Sequence, residues 1–261
     1  MTEREIPQAS PKKEGSMKSR HMKISWLVLA FVFSVVAFMI PIPFPALSRA
    51  AAVTLEEPMP DFTLPVYQGG EIKLSGLRGK NVMIIFPRGY AAPGAWCTIC
   101  DYKYAELVEI EKTVQLRKKY DLEILFVLPY DRDTVRAWLD ALPGQLEKIR
   151  LTKNPLDPTK LDEKGQANME RYRKLFPKDL TVTKEEIPVP FPILIDGDRK
   201  VSKGLDLFRT EWGSKVDQNV PTTFIVDRKG IVRYKYFSQN TADRPSYEYL
   251  MGILDWITSG K

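Results

Sequence analysis

Cysteine occurs twice in these 261 residues and histidine once. The histidine, His21, precedes a long uncharged stretch, so the rest of the chain offers two Cys/His ligands where zinc takes about four. That scarcity argues against a zinc site. Covalent haem needs Cys-x-x-Cys-His, and here Asp101 follows Cys100. Neither a metal nor another cofactor is expected. Charge of one sign is also scarce over most of the chain. The net charge is +6, but residues 1–23 hold six basic residues against three acidic and Arg49 adds one more, which leaves about +2 from Val53 onward. A domain so nearly neutral carries no electrostatic footprint for nucleic acid.

Charge is absent altogether from Ile24 to Ile40, and apolar residues continue to Leu47. A helix over this stretch spans the hydrocarbon core of about 30 Å. Basic residues cluster before it, so the positive-inside rule places residues 1–23 as a basic cytoplasmic tail, 24–47 as a transmembrane helix and 48–56 as a linker. The domain 57–261 then lies on the extracytoplasmic side. A cleaved signal peptide is the alternative, with Ala50-Ala51-Ala52 as its processing site; the apolar run exceeds the usual signal core, which favours a retained anchor. Either way the cysteines meet an oxidising compartment, where a pair acting as reductant needs an electron supply.

The two cysteines stand together in Trp96-Cys97-Thr98-Ile99-Cys100. A disulfide closing so short a loop adds little stability, whereas a helix N-terminus at this point would stabilise a thiolate. A redox-active pair is therefore expected. The dipeptide between them brings no cation that would make it an extreme oxidant.

Strand-like stretches at 71–77 and 81–86 lead through a loop at 87–95 into the Cys-x-x-Cys, where a helix begins; Tyr104, Leu107, Val108, Ile110 and Val114 recur at helical spacing. The run 122–128 reads as a strand buried on both faces, followed by a helix from about Thr134. Residues 153–190 are rich in charge and proline and read as a surface insertion with one helix over 161–175, its charges a solvated face. A strand at 191–195, a helical segment over 201–208, a hairpin of 222–226 with 232–236 and a helix burying Leu250, Ile253, Leu254 and Ile257 complete the order.

These residues resemble the thioredoxin-like superfamily over about 57–258: Trp96-Cys97-x-x-Cys100 is similar to its active site and Val220-Pro221-Thr222-Thr223-Phe224 to its second hallmark. The resemblance implies an α/β thioredoxin-like fold, a central mixed sheet flanked by helices. It further implies that Cys97, the more exposed position, attacks a substrate disulfide and Cys100 resolves it. Trp96 would frame the site and Thr98 and Ile99 set its redox poise. Pro221 would be a cis-proline against the sulfurs, and the Val220 backbone would pair with a bound polypeptide.

Other stretches resemble the peroxiredoxin branch, among them Pro60-Asp61-Phe62-Thr63-Leu64, 74–80 and 191–196. Pro93-x-x-x-Cys97-x-x-Cys100 is similar to that branch's Pro-x-x-x-Thr-x-x-Cys, which would make Cys100 peroxidatic. Two departures weigh against a peroxidase: Pro221 stands where an arginine usually precedes the strand at Thr222, and Cys97 replaces the threonine. There is a departure from thioredoxin as well, since its buried acid falls near the apolar Ile84 and Ile85. The expected function is an exported, membrane-anchored thiol–disulfide oxidoreductase acting on protein dithiols or disulfides with an electron donor. The alternatives are a peroxiredoxin-like thiol peroxidase and a tethered binding or assembly module.

Overall fold

The structure is a computed structural model that describes residues 53–185, 187–209, 216 and 218–259. The tail, the apolar segment 24–47 and the first part of the linker lie outside the described residues. Among the described residues no helix is long and apolar enough to cross a membrane.

Five strands form the central sheet: β3 (Asn81–Phe86), β6 (Leu122–Leu128), β7 (Ile193–Ile195), β10 (Thr222–Val226) and β11 (Val232–Phe237). Their order is β11-β10-β3-β6-β7; the β3–β6 and β6–β7 pairs are parallel, and the β10–β3 and β11–β10 pairs antiparallel. The mixed sheet expected from the sequence is present. Period-two alternation sends successive side chains to opposite faces. Thus Met83, Ile124, Phe126 and Ile225 join one core, and Val82, Ile84, Leu125, Val127 and Phe224 join the other.

The first core is covered by α1 (Thr98–Val114), α3 (Arg132–Lys153) and α6 (Tyr247–Thr258), which bury Leu107, Trp138, Leu142, Leu250 and Leu254. Between α1 and α3 lies the short α2 (Leu116–Lys119), set off by Gln115 in the left-handed region. Asp131 caps α3 by accepting the Thr134 N–H at 2.8 Å, and Ser246 caps α6 by accepting that of Tyr249 at 3.2 Å. The second core is covered by the hairpin β1 (Thr63–Pro65) and β2 (Glu71–Lys73) and by the short α5 (Lys200–Gly204), with Leu64, Leu74, Leu205 and Leu207 buried.

The strand expected over 71–77 is shorter than its apolar pattern. It ends at Lys73, and Leu74–Leu77 form a single 3-10 turn because Asp61 draws in both the N–H and the hydroxyl of Ser75, each at 2.8 Å. The helical segment expected over 201–208 also ends early, at Gly204, and a two-residue strand, β8 (Phe208–Arg209), pairs with β9 (Gln218–Asn219).

The insertion is more than a solvated surface. Its helix, α4 (Glu163–Leu175), is capped by Asp162, and the following Phe176 is buried with its ring 5.0 Å from that of Tyr102 on α1. The buried Lys153 ammonium donates to the Phe176 carbonyl at 2.7 Å and meets Asp179 at 2.9 Å. A lysine held so deeply is stable only with such partners. The insertion is thus tied beside α1.

The expected loop over 87–95 contains a small hairpin, β4 (Tyr90–Ala92) with β5 (Ala95–Trp96). Tyr90 stacks on Trp96 with ring centroids 3.9 Å apart, and Tyr130 meets both rings edge-on while its hydroxyl accepts the Tyr90 N–H at 2.9 Å. The turn into this hairpin is Gly89, at φ +80°, packed directly against the Tyr130 ring. A side chain there meets both a disfavoured backbone and that ring. Gly89→Ala is expected to lower stability by about 1–3 kcal/mol in chemical denaturation, and an unchanged midpoint would refute this account of the loop.

Candidate active site

The loop after β3 delivers Cys97 to the start of α1. The Cys97 N–H donates to the Gly89 carbonyl at 2.8 Å, and its own carbonyl accepts the N–H groups of Cys100 and Asp101 at 2.8 and 3.1 Å. Cys97 is therefore the N-cap of α1, and Cys100 lies in its first turn. The two sulfurs are free thiols 2.8 Å apart. Both residues are 3% exposed, so Cys97 is not the more open of the two, as the resemblance to thioredoxin implied.

Two arginines define the electrostatics. The Arg88 backbone N–H donates to Cys100 Sγ at 3.3 Å, while the Arg244 guanidinium donates through Nη2 to Cys100 Sγ at 3.5 Å and stands 3.8 Å from Cys97 Sγ. Arg244 is held in turn, its Nη1 donating to the Asp243 carbonyl at 2.6 Å and to Ser238 Oγ at 3.2 Å. The Asp243 carboxylate accepts from the Tyr236 hydroxyl and from the Gln239 N–H.

Burial by itself would raise the Cys100 thiol. The hydrogen bond from Cys97, the charge and hydrogen bond of Arg244 and the Arg88 amide outweigh it and bring Cys100 down to about 5. Cys97 goes the other way: its hydrogen bond to Cys100, its burial and the neighbouring thiolate hold it well above the ordinary thiol range. The surroundings therefore favour ionisation at Cys100 over Cys97, whereas the thioredoxin resemblance implies Cys97 as the attacking sulfur.

A buried carboxyl does lie beside the pair, at Asp101 rather than at Ile84 or Ile85. Its Oδ1 accepts from the Trp138 indole at 2.7 Å, and its Oδ2 has no hydrogen-bond partner. Burial first, and then the charge at Cys100, push its proton affinity well up, against the hydrogen bond from Trp138.

Each sulfur opens on a different space. Cys100 borders a cavity of about 40 Å³ shared with Arg244, Pro221, Thr222 and Ser238 and walled by Phe86, Phe126 and Leu250. Cys97 borders a wider groove of about 240 Å³ with Thr98, Ile99 and residues of α4. Trp96 frames the loop through its stack on Tyr90, as described above.

The Val220–Pro221 bond is trans, since no described peptide bond is cis. Pro221 sits between β9 and β10, at a strand start where a missing N–H is tolerated. Both Val220 backbone groups are engaged inside the chain: its N–H donates to the Leu207 carbonyl at 2.7 Å and its carbonyl accepts the Thr222 hydroxyl at 2.8 Å. The residue before β8, Leu207, thus takes the Val220 N–H that the resemblance assigned to a bound polypeptide. Pro221 still reaches the Cys100 cavity; Val220 does not line it.

Sequence reading missed both arginines. Arg88 acts through its amide, which any residue except proline could supply, and Arg244 stands 144 positions from Cys100. The only local signal for Arg244 is its place in Asp243-Arg244-Pro245-Ser246, immediately before the helix cap.

A protein with a dithiol at the N-terminus of a helix on a mixed sheet of this order belongs to the thioredoxin-like superfamily. Residues 55–235 match the model of the AhpC/TSA family, and the chain belongs to that family. It is a thiol-based redox enzyme. No curated protein matches it. Among solved structures it is similar to the reduced 2-Cys peroxiredoxin of Plasmodium vivax, at 17% identity and a TM-score of 0.47 over 77% of this chain and 80% of that one.

Arg244→Gln removes an opposite charge next to the sulfur, which is expected to raise the thiolate titration midpoint, followed by ultraviolet absorbance of the reduced protein, by about one to three pH units. In the native protein the Cys100 thiolate is expected to form through about pH 5, with Cys97 ionising only at much higher pH. A midpoint unmoved in the variant would remove Arg244 from the site's electrostatics.

Proposed function

We propose that the protein is a thiol peroxidase in which Cys100 is oxidised and Cys97 resolves it. The observation that carries this reading is the convergence of the Arg88 amide and the Arg244 guanidinium on Cys100 Sγ at the mouth of a cavity sized for a small oxidant. The arginine absent ahead of Thr222 has a counterpart here, supplied from the turn before α6. Cys97, in the place of the threonine, donates a hydrogen bond to the thiolate.

In the reaction the Cys100 thiolate attacks one oxygen of a hydroperoxide. The S–O bond forms as the O–O bond breaks, and the departing alkoxide takes up a proton. Arg244 lies where it can orient the peroxide and offset the negative charge that develops on the leaving oxygen. The Cys97 sulfur then attacks the sulfenic sulfur, expelling hydroxide that leaves as water with the Cys97 proton and closing the disulfide. Their sulfurs already stand 2.8 Å apart.

A thiol–disulfide oxidoreductase is the second reading, favoured by the Trp-Cys-x-x-Cys order at a helix start and by the wider groove at Cys97. Under either reading we place the domain outside the cytoplasm, tethered through residues 24–47, on the strength of the uncharged run and the basic residues before it.

Hydroperoxide consumption with a small dithiol as reductant, set beside insulin reduction, separates the two. The peroxidase reading expects peroxide turnover, a sulfenic acid accumulating on Cys100 in Cys97→Ser, and none in Cys100→Ser. Insulin reduction without peroxide turnover, with a mixed disulfide trapped on Cys97 in Cys100→Ser, would replace it with the oxidoreductase.

A further inference from the structure

The groove at Cys97 shares no lining residue with the cavity at Cys100, and the insertion helix α4 forms part of its wall. Arg171, Asn168, Tyr172 and Leu175 line it from that helix, together with Arg88 and Thr241. We propose that this groove binds a small thiol bearing carboxylates, which reduces the oxidised pair by attack on Cys97. The inference rests on the reading that the pair cycles through a Cys97–Cys100 disulfide.

Three observations carry it. The first is access, because the cavity at Cys100 is about 40 Å³ whereas the groove at Cys97 is about 240 Å³. The latter is just below the range of small-molecule sites and suits a thiol of few-residue peptide size.

The second is charge. Two arginines and no acidic residue line the groove. Arg88 is internally bonded, its guanidinium donating to Gln218 and to the Ala91 carbonyl, whereas Arg171 is exposed and makes no hydrogen bond or ion pair among the described residues. Glu163 and Glu170 of the same helix fall outside the lining. An unpaired cation beside the apolar faces of Tyr172 and Leu175 matches an anionic, partly apolar ligand.

The third is the leaving group. In thiol–disulfide exchange the sulfur with the lower proton affinity leaves faster. The Arg88 amide and Arg244 stabilise Cys100 as a thiolate, so attack on Cys97 expels the better leaving group.

The exchange balances as follows. One thiolate forms a bond to Cys97 Sγ as the Cys97–Cys100 bond breaks, and Cys100 departs as thiolate. A second thiolate attacks the reductant sulfur of the mixed disulfide, and Cys97 departs and takes a proton. Two thiols are oxidised to one disulfide while the protein disulfide is reduced.

The test uses the full chain oxidised with diamide, which is then removed, so that no hydroperoxide enters the assay and failure here is distinct from failure of the peroxidase reading. Reduction rates by glutathione, 2-mercaptoethanol and cysteamine are compared after correction for each thiolate fraction. Glutathione is expected to exceed the neutral thiol by about threefold or more and the cationic thiol by a larger ratio, with the preference shrinking as salt rises. Arg171→Gln should bring the ratios close to one and Arg171→Lys should retain them. Mass spectrometry of alkylation-quenched samples should locate the glutathione adduct on Cys97. Equal corrected rates, a preference that survives Arg171→Gln, or an adduct on Cys100 would each overturn the proposal.

Discussion

The active site depends on one asymmetry between two neighbouring sulfurs. Cys97 and Cys100 share a helix turn and equal burial, yet only Cys100 receives the Arg88 amide and the shorter contact of Arg244. Burial alone would hold both thiols protonated. The donors decide which sulfur ionises, and the other then becomes a donor itself. Every other feature of the site serves to hold those donors in place: Gly89 turns the Arg88 loop, the stacked Tyr90 and Trp96 fix the hairpin behind it, and Asp243 and Ser238 hold the Arg244 guanidinium.

The buried Asp101 belongs to the same balance. A carboxylate so close to a thiolate would be a second uncompensated negative charge in an apolar interior. Its proton affinity is raised instead, with one oxygen on the Trp138 indole of α3 and the other unpartnered.

Much of the fold was legible because it is written in periodicity. The apolar run in 82–86, the continuous apolar run of 122–128 and the turn at 227–230 each name their own element, and the strand-to-helix change places the helix start at the cysteines. The misses are all tertiary. A sequence stretch with an apolar pattern at 71–77 becomes a 3-10 turn because Asp61 captures Ser75 from outside it. The charged insertion docks through one buried phenylalanine and one buried lysine, which its composition conceals. At the site, the cysteines were evident as a pair, but their roles were not. The motif Trp-Cys-x-x-Cys points to Cys97, while the donors that favour Cys100 come from a backbone amide and from a residue near the far end of the domain. The trans bond at Pro221 was not legible either, and the Leu207 carbonyl that engages the Val220 N–H lies thirteen residues away with no local signature.

The most direct test is a site-resolved titration of the reduced protein, with cysteine Cβ resonances followed by NMR and assigned by single substitution of each cysteine. The account expects two separate transitions, the lower one, near about 5, belonging to Cys100, with Cys97 still protonated at physiological pH. A lower transition that belongs to Cys97, or two transitions near the ordinary thiol value of about 8.5, would contradict it.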